Sequence, residues 1–135
     1  MTSALLGLRL VLAFLAVYHL AIGLLSAFAP AWTRTVSRGL YALALSDEAQ
    51  VVHAIRMLGL YALTMGFLLS VAAHDPLANV PIIVGVIFLQ SMRALFRLVH
   101  HAELRDRFQV PRGRNAFNAG LLVVQVALLV YWFPR

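Results

Sequence analysis

Four apolar stretches, at about residues 8–29, 50–73, 80–99 and 116–133, divide a chain of 135 residues. Each is close to the ~20 residues that a helix needs to cross a bilayer. A segment in lipid must satisfy its own backbone hydrogen bonds, and a helix does this internally. The expected fold is therefore all-α. It is one integral membrane domain over residues 1–135, a bundle of four transmembrane helices in antiparallel, up-down order. Composition points the same way. Hydrophobic residues make up 62% of the chain and charged residues 12%, against about 45–50% and about 25% in a soluble domain.

Proline marks the boundaries. Pro30 follows the first stretch, Pro76 and Pro81 bracket the start of the third, Pro111 precedes the fourth and Pro134 ends it. None falls where it would remove a helix-interior hydrogen bond. Ser46 is placed to cap the second helix, with Asp47 and Glu48 in its first turn, and Asn115 is placed to cap the fourth. Trp32, Tyr131 and Trp132 sit at segment ends, where an interfacial aromatic belt forms. PAWTRTVSRGL, after the first span, reads as a short interfacial helix. Pro30 starts it, Gly39 stops it, and Trp32 and Val36 share its apolar side. The first stretch is too long for a signal-peptide core and is read as a retained span.

The basic residues orient the bundle. All eleven cationic side chains are Arg, and the net charge is +6. Arg34 and Arg38 lie in the connection 30–49, and Arg105, Arg107, Arg112 and Arg114 in the connection 100–115; the connection 74–79 has none. The positive-inside rule puts both basic connections in the cytoplasm and both termini outside, in a bacterial cytoplasmic membrane. Arg9 and Arg135 weigh weakly the other way. The basic residues border apolar segments and form no polar face with interleaved aromatics, so nucleic acid is excluded as a partner. Anionic lipids, other membrane subunits or a second copy of the chain fit better.

Polar residues gather toward the cytoplasmic half of the spans. His53 and Arg56 share a face at i, i+3 near the start of the second. Arg93 and Arg97 share a face at i, i+4 near the end of the third, and Gln90 continues that face inward. An Arg at the centre of a span costs ~2.5–3.5 kcal/mol, so such a residue faces the bundle interior or water, or snorkels to the surface. Arg56, Arg93, Arg97, Gln90 and His19 are accordingly the candidate anion-binding set. Asp47, Glu48, Glu103 and Asp106 are the nearest acids. If none folds back to these arginines, the missing anion is a ligand, a lipid or another subunit.

His53 and His100 come at similar depth on adjacent spans. Two such histidines can ligate a haem, or flank a quinone, with Arg nearby. With no cysteine there is no thiolate site, and His100 with His101 lacks a third local metal ligand. No catalytic constellation is evident. Gly59, Ala62 and Gly66 fall on one helix face, and Gly23 and Ala27 are four apart. Such small-residue faces let helices approach closely in lipid.

A first span ending in AFAP, a second carrying RMLGLYALTMG and a third ending in RALFRLVHH resemble small bacterial four-helix membrane proteins of the DoxX-like and BphX-like kind. The resemblance covers most of the chain. It rests on hydropathy, an Arg followed by a Gly-Leu-Tyr turn, and an Arg-rich end to the third span. Some DoxX-like proteins are linked with quinone-dependent sulfur oxidation, and the resemblance implies that such a role is open to this chain. It carries over no catalytic residue.

Three functions follow, in this order. The first is a non-catalytic accessory or scaffolding subunit of a larger membrane complex, from the small size and packing faces. The second is a quinone- or haem-binding redox protein, from His53, His100, Arg93 and Arg97. The third is lipid or small-anion binding or transport through the Arg cluster.

Overall fold

The computed structural model describes residues 2–133, so Pro134 and Arg135, invoked above, lie outside the described residues. Six helices follow one another: α1 (Thr2–Phe28), α2 (Pro30–Tyr41), α3 (Ala49–His74), α4 (Val80–Val99), α5 (His101–Asp106) and α6 (Arg112–Tyr131). No strand occurs among the described residues. The helices α1, α3, α4 and α6 are each long and apolar enough to span a membrane. Only 22–33% of their most apolar windows is buried against the rest of the protein. The remainder, including Leu10, Phe14, Leu58, Phe67, Phe88 and Val124, faces outward, as lipid-facing surface must.

Two helix pairs make up the bundle. In the first, α1 and α3 run antiparallel with their backbones nearly touching. A Cβ added to Gly59 would lie 2.5 Å from the Ala27 nitrogen, one on Gly23 2.7 Å from the Leu63 nitrogen, and one on Gly66 2.8 Å from the Leu20 nitrogen. Glycine is required at these three crossings because any side chain would push the helices apart. Close approach multiplies dispersion contacts, which hold helices together where lipid tails remove the hydrophobic drive. In the second pair, α4 and α6 run antiparallel with Gln90 opposite Gln125 and Arg97 opposite Asn115.

The pairs meet at one end of the bundle. Leu8, Leu12, Leu15 and Ala16 of α1 pack with Leu69 and Ala72 of α3, Ile83 and Val86 of α4 and Leu129 of α6. All of these lie in the half away from the basic connections. The buried polar side chains, His19, Ser26, Thr33, Gln90, Asn115 and Asn118, lie toward the basic half, beside buried Ile55, Ala94, Val110, Ala119 and Leu122.

Several boundaries differ from the sequence reading. The first helix begins at Thr2 rather than near Leu8. The third element starts at Ala49, so Asp47 and Glu48 precede it, and the Ser46 hydroxyl accepts from the Glu48 amide without capping the helix. Gly39 does not stop α2, which runs to Tyr41 and ends on Ala42 in the left-handed conformation (φ 55°). Trp32 is exposed and Thr33 is the buried residue of α2. The last helix opens at Arg112 behind Pro111, whose missing N–H is harmless at that end. Asn115 therefore sits inside α6 and is no cap.

Candidate functional site

Where the two pairs part, a cavity of about 230 Å³ opens between α1, α4 and α6, roofed by the end of α2. Three arginines line it, the half-buried Arg93 and Arg97 and the exposed Arg114, beside Gln90, Asn118 and Gln125. Phe14, Tyr18, Tyr41 and Phe117 supply aromatic walls, and Leu40, Leu121 and Leu122 complete them.

Each side chain is placed by helix geometry. Gln90, Arg93 and Arg97 recur every three and four residues and so fall on one face of α4. Arg114, Asn118 and Gln125, together with Phe117, Leu121 and Leu122, follow the same period on α6. The α2 roof is pinned by three polar contacts. The Tyr41 and Tyr18 hydroxyls hydrogen-bond to each other. Asn118 Nδ2 donates to the Leu40 carbonyl at 3.4 Å, and Thr33 Oγ1 donates to Ser26 Oγ at 3.4 Å. The Arg97 guanidinium also lies 5.7 Å from the centre of the Tyr41 ring, within cation–π range.

Two of the three arginines, Arg93 and Arg97, are held by neutral groups. Arg93 Nη1 donates to Gln90 Oε1 at 3.1 Å, while Gln90 Nε2 donates to Gln125 Oε1 at 2.7 Å. Arg97 Nη1 donates to Asn115 Oδ1 at 3.1 Å, and Asn115 Nδ2 returns a bond to the Arg97 carbonyl at 2.9 Å. An amide oxygen orients a guanidinium without cancelling its charge. Each arginine uses one of its five N–H donors in this way. Among the described residues no carboxylate pairs with Arg93, Arg97 or Arg114. Glu103 pairs with His100 at 3.3 Å and Arg107 at 3.6 Å, and Asp106 pairs with Arg105 at 2.6 Å. The adjacent Arg105 guanidinium holds the Asp106 carboxyl below its ordinary range, so that acid stays charged and committed to its own connection.

Of the residues singled out from sequence, the structure brings Gln90, Arg93 and Arg97 together. His53 and Arg56 lie on the exposed outer face of α3 and line neither this cavity nor the groove beside it. His100 stacks on Phe96, with ring centres 4.4 Å apart, and is turned to Glu103. His19 is buried, and its Nδ1 is bonded to the Leu15 carbonyl at 2.8 Å within α1. Sequence reasoning missed Tyr41 and Arg114 as lining residues, and missed the grip of Asn115 on Arg97. The signal for the last was present, since Asn115 and Asn118 are three apart, as are Gln90 and Arg93.

Below this cavity, and sharing Phe14, Leu121 and Gln125 with it, runs a groove of about 340 Å³ between α1 and α6. Its other walls are Leu10, Val11, Leu15, Val124 and Leu128. No protein-family model matches the chain, and no curated protein or solved structure shows significant similarity to it.

Proposed function

We propose that the chain binds an anion in the cavity at its basic end, with Arg93, Arg97 and Arg114 as the charge and Gln90 and Asn115 as the groups that hold two of those arginines. The observation that carries this reading is a trio of arginines on one cavity, two of them hydrogen-bonded to amide oxygens and none, among the described residues, paired with a carboxylate. Neighbouring cations repel one another, the more so where they are partly buried, and a bound anion relieves that repulsion. Arg suits the task because its planar fork takes phosphate or carboxylate through paired hydrogen bonds. The positive-inside rule puts the cavity in the inner half of a bacterial cytoplasmic membrane, so the anion arrives from the cytosol or the inner leaflet. The role is binding and presentation of that ligand, alone or within a larger membrane assembly.

The test is retention of inorganic phosphate by the purified chain and by Arg93→Gln. Gln keeps a polar side chain and loses the charge. Binding should fall at least about tenfold, the scale of a lost charge-assisted hydrogen bond, with helical content unchanged. Retention equal to wild type would sink the reading.

A quinone is the second reading, favoured by the four aromatic walls, which suit a flat ring, and by Arg and Gln donors for its carbonyl oxygens. A stoichiometric quinone in an organic extract of the native protein would replace the anion with that ligand.

A further inference from the structure

Resting on the anion reading of the cavity, we infer that the ligand is a membrane lipid ending in a phosphate monoester, with one aliphatic chain laid in the groove between α1 and α6. Two observations carry this beyond a generic anion.

The first is continuity. The cationic cavity and the apolar groove share Phe14, Leu121 and Gln125, so one molecule can occupy both. The lining is segregated along that path. All the charge sits at the basic end, and only Gln125 interrupts an otherwise apolar groove. A free anion would use the cavity and leave the groove to bulk lipid. A molecule with a charged head and an aliphatic chain matches both parts. The groove also lies open to the side. Leu10, Phe14 and Val124 are each more than half exposed, and Leu121 and Leu128 nearly so. A chain can therefore enter from the bilayer without leaving apolar surroundings.

The second observation is charge count. Three arginines line the cavity with no acid among its lining residues. A phosphodiester or a carboxylate brings one negative charge. A phosphate monoester brings close to two at neutral pH, with three acceptor oxygens. It answers three forked donors better than either. Arg93 and Arg97 stand one turn apart on α4 and Arg114 lines the same cavity from the exposed start of α6, so cationic donors reach it from two helices.

The test uses the full chain in phosphatidylcholine nanodiscs, with monododecyl phosphate and inorganic phosphate as probes, followed by phosphorus NMR titration. Two variants fill the groove from opposite walls, Val124→Trp on α6 and Leu10→Trp on α1. Both positions are exposed and outside the core. Each variant should weaken monododecyl phosphate about tenfold or more, the scale of an overpacked site, and leave inorganic phosphate unchanged. Wild-type affinity for monododecyl phosphate should rise close to tenfold from pH 5 to pH 7, because its second proton leaves near pH ~6 and Arg does not titrate. If neither variant weakens monododecyl phosphate, the chain does not use the groove and the inference falls, while the anion reading stands on inorganic phosphate. Loss of both probes in both variants would mean that head and groove are not separate sites, and also overturns it. A flat pH profile excludes the monoester. If wild type binds neither probe, the anion reading falls with it.

Discussion

Gln90 is 1% exposed and uses both ends of its amide, accepting from Arg93 and donating to Gln125 across the α4–α6 interface. A buried amide that lost one partner would leave the other unsatisfied, at a cost of about 1–3 kcal/mol. Gln90→Leu should therefore destabilise the bundle on that scale and also free Arg93 to snorkel, weakening phosphate binding. A double-mutant cycle of Gln90→Leu with Gln125→Leu, read by unfolding in mixed detergent micelles, should give a coupling near ~0.6 kcal/mol and no more than ~1.7 kcal/mol, the range for hydrogen bonds between membrane helices. A coupling of zero would mean that the two amides act independently. Asn115→Leu probes the second arginine. Arg97 would lose its side-chain acceptor, and phosphate affinity should drop while α6 stays helical by circular dichroism.

The α1–α3 pair is set by three glycines. At Gly59 even a methyl group meets the Ala27 backbone, which cannot give way as a flexible side chain can. Gly59→Ala should cost about 1–3 kcal/mol as an overpacked contact. At Gly85 and Gly120 an added Cβ meets nothing within 4 Å. Alanine there should be neutral, or stabilising by up to ~1 kcal/mol through helix propensity. Thermal unfolding of the three variants side by side checks both directions. The small-residue face was readable from spacing alone, because Gly59 and Gly66 recur at helical period. The four spans were readable for a similar reason, since length and hydropathy suffice to specify a helix in lipid. Helix starts were not. Arg112, Gly113 and Arg114 look like connection by composition, yet Pro111 can open a helix ahead of them. That misplacement hid Arg114 and Asn115 from the candidate site. The outward facing of His53 and Arg56 was equally hidden. Period tells which residues share a face, and only the partner helix tells which face is inside.

On the scale of the molecule, polarity is divided between two halves. The apolar core joins all four spans at one end, and polar side chains and the cavity occupy the other. The basic connections flank the cavity end, and the connection between α3 and α4 flanks the core end. With no cysteine in the chain, single Ser46→Cys and Asn79→Cys variants test orientation directly. A membrane-impermeant thiol reagent applied outside intact cells should label Cys at position 79 and not at position 46. The reverse pattern would invert the bundle and turn the cavity to the outer leaflet.

The pairing of helices also allows an order of assembly. The α1–α3 contact and the α4–α6 contact each join spans from one half of the chain, so each pair can form as soon as its own half has been inserted. The space between α1 and α6 exists only after the two halves have docked. A lipid seated there touches both halves and can recognise only the docked state. It therefore adds RT ln(1 + [L]/Kd) to the docking free energy. The bilayer's own content of that lipid would set how much of the newly made protein is assembled, and the ligand would act as a structural component of the bundle as well as its cargo.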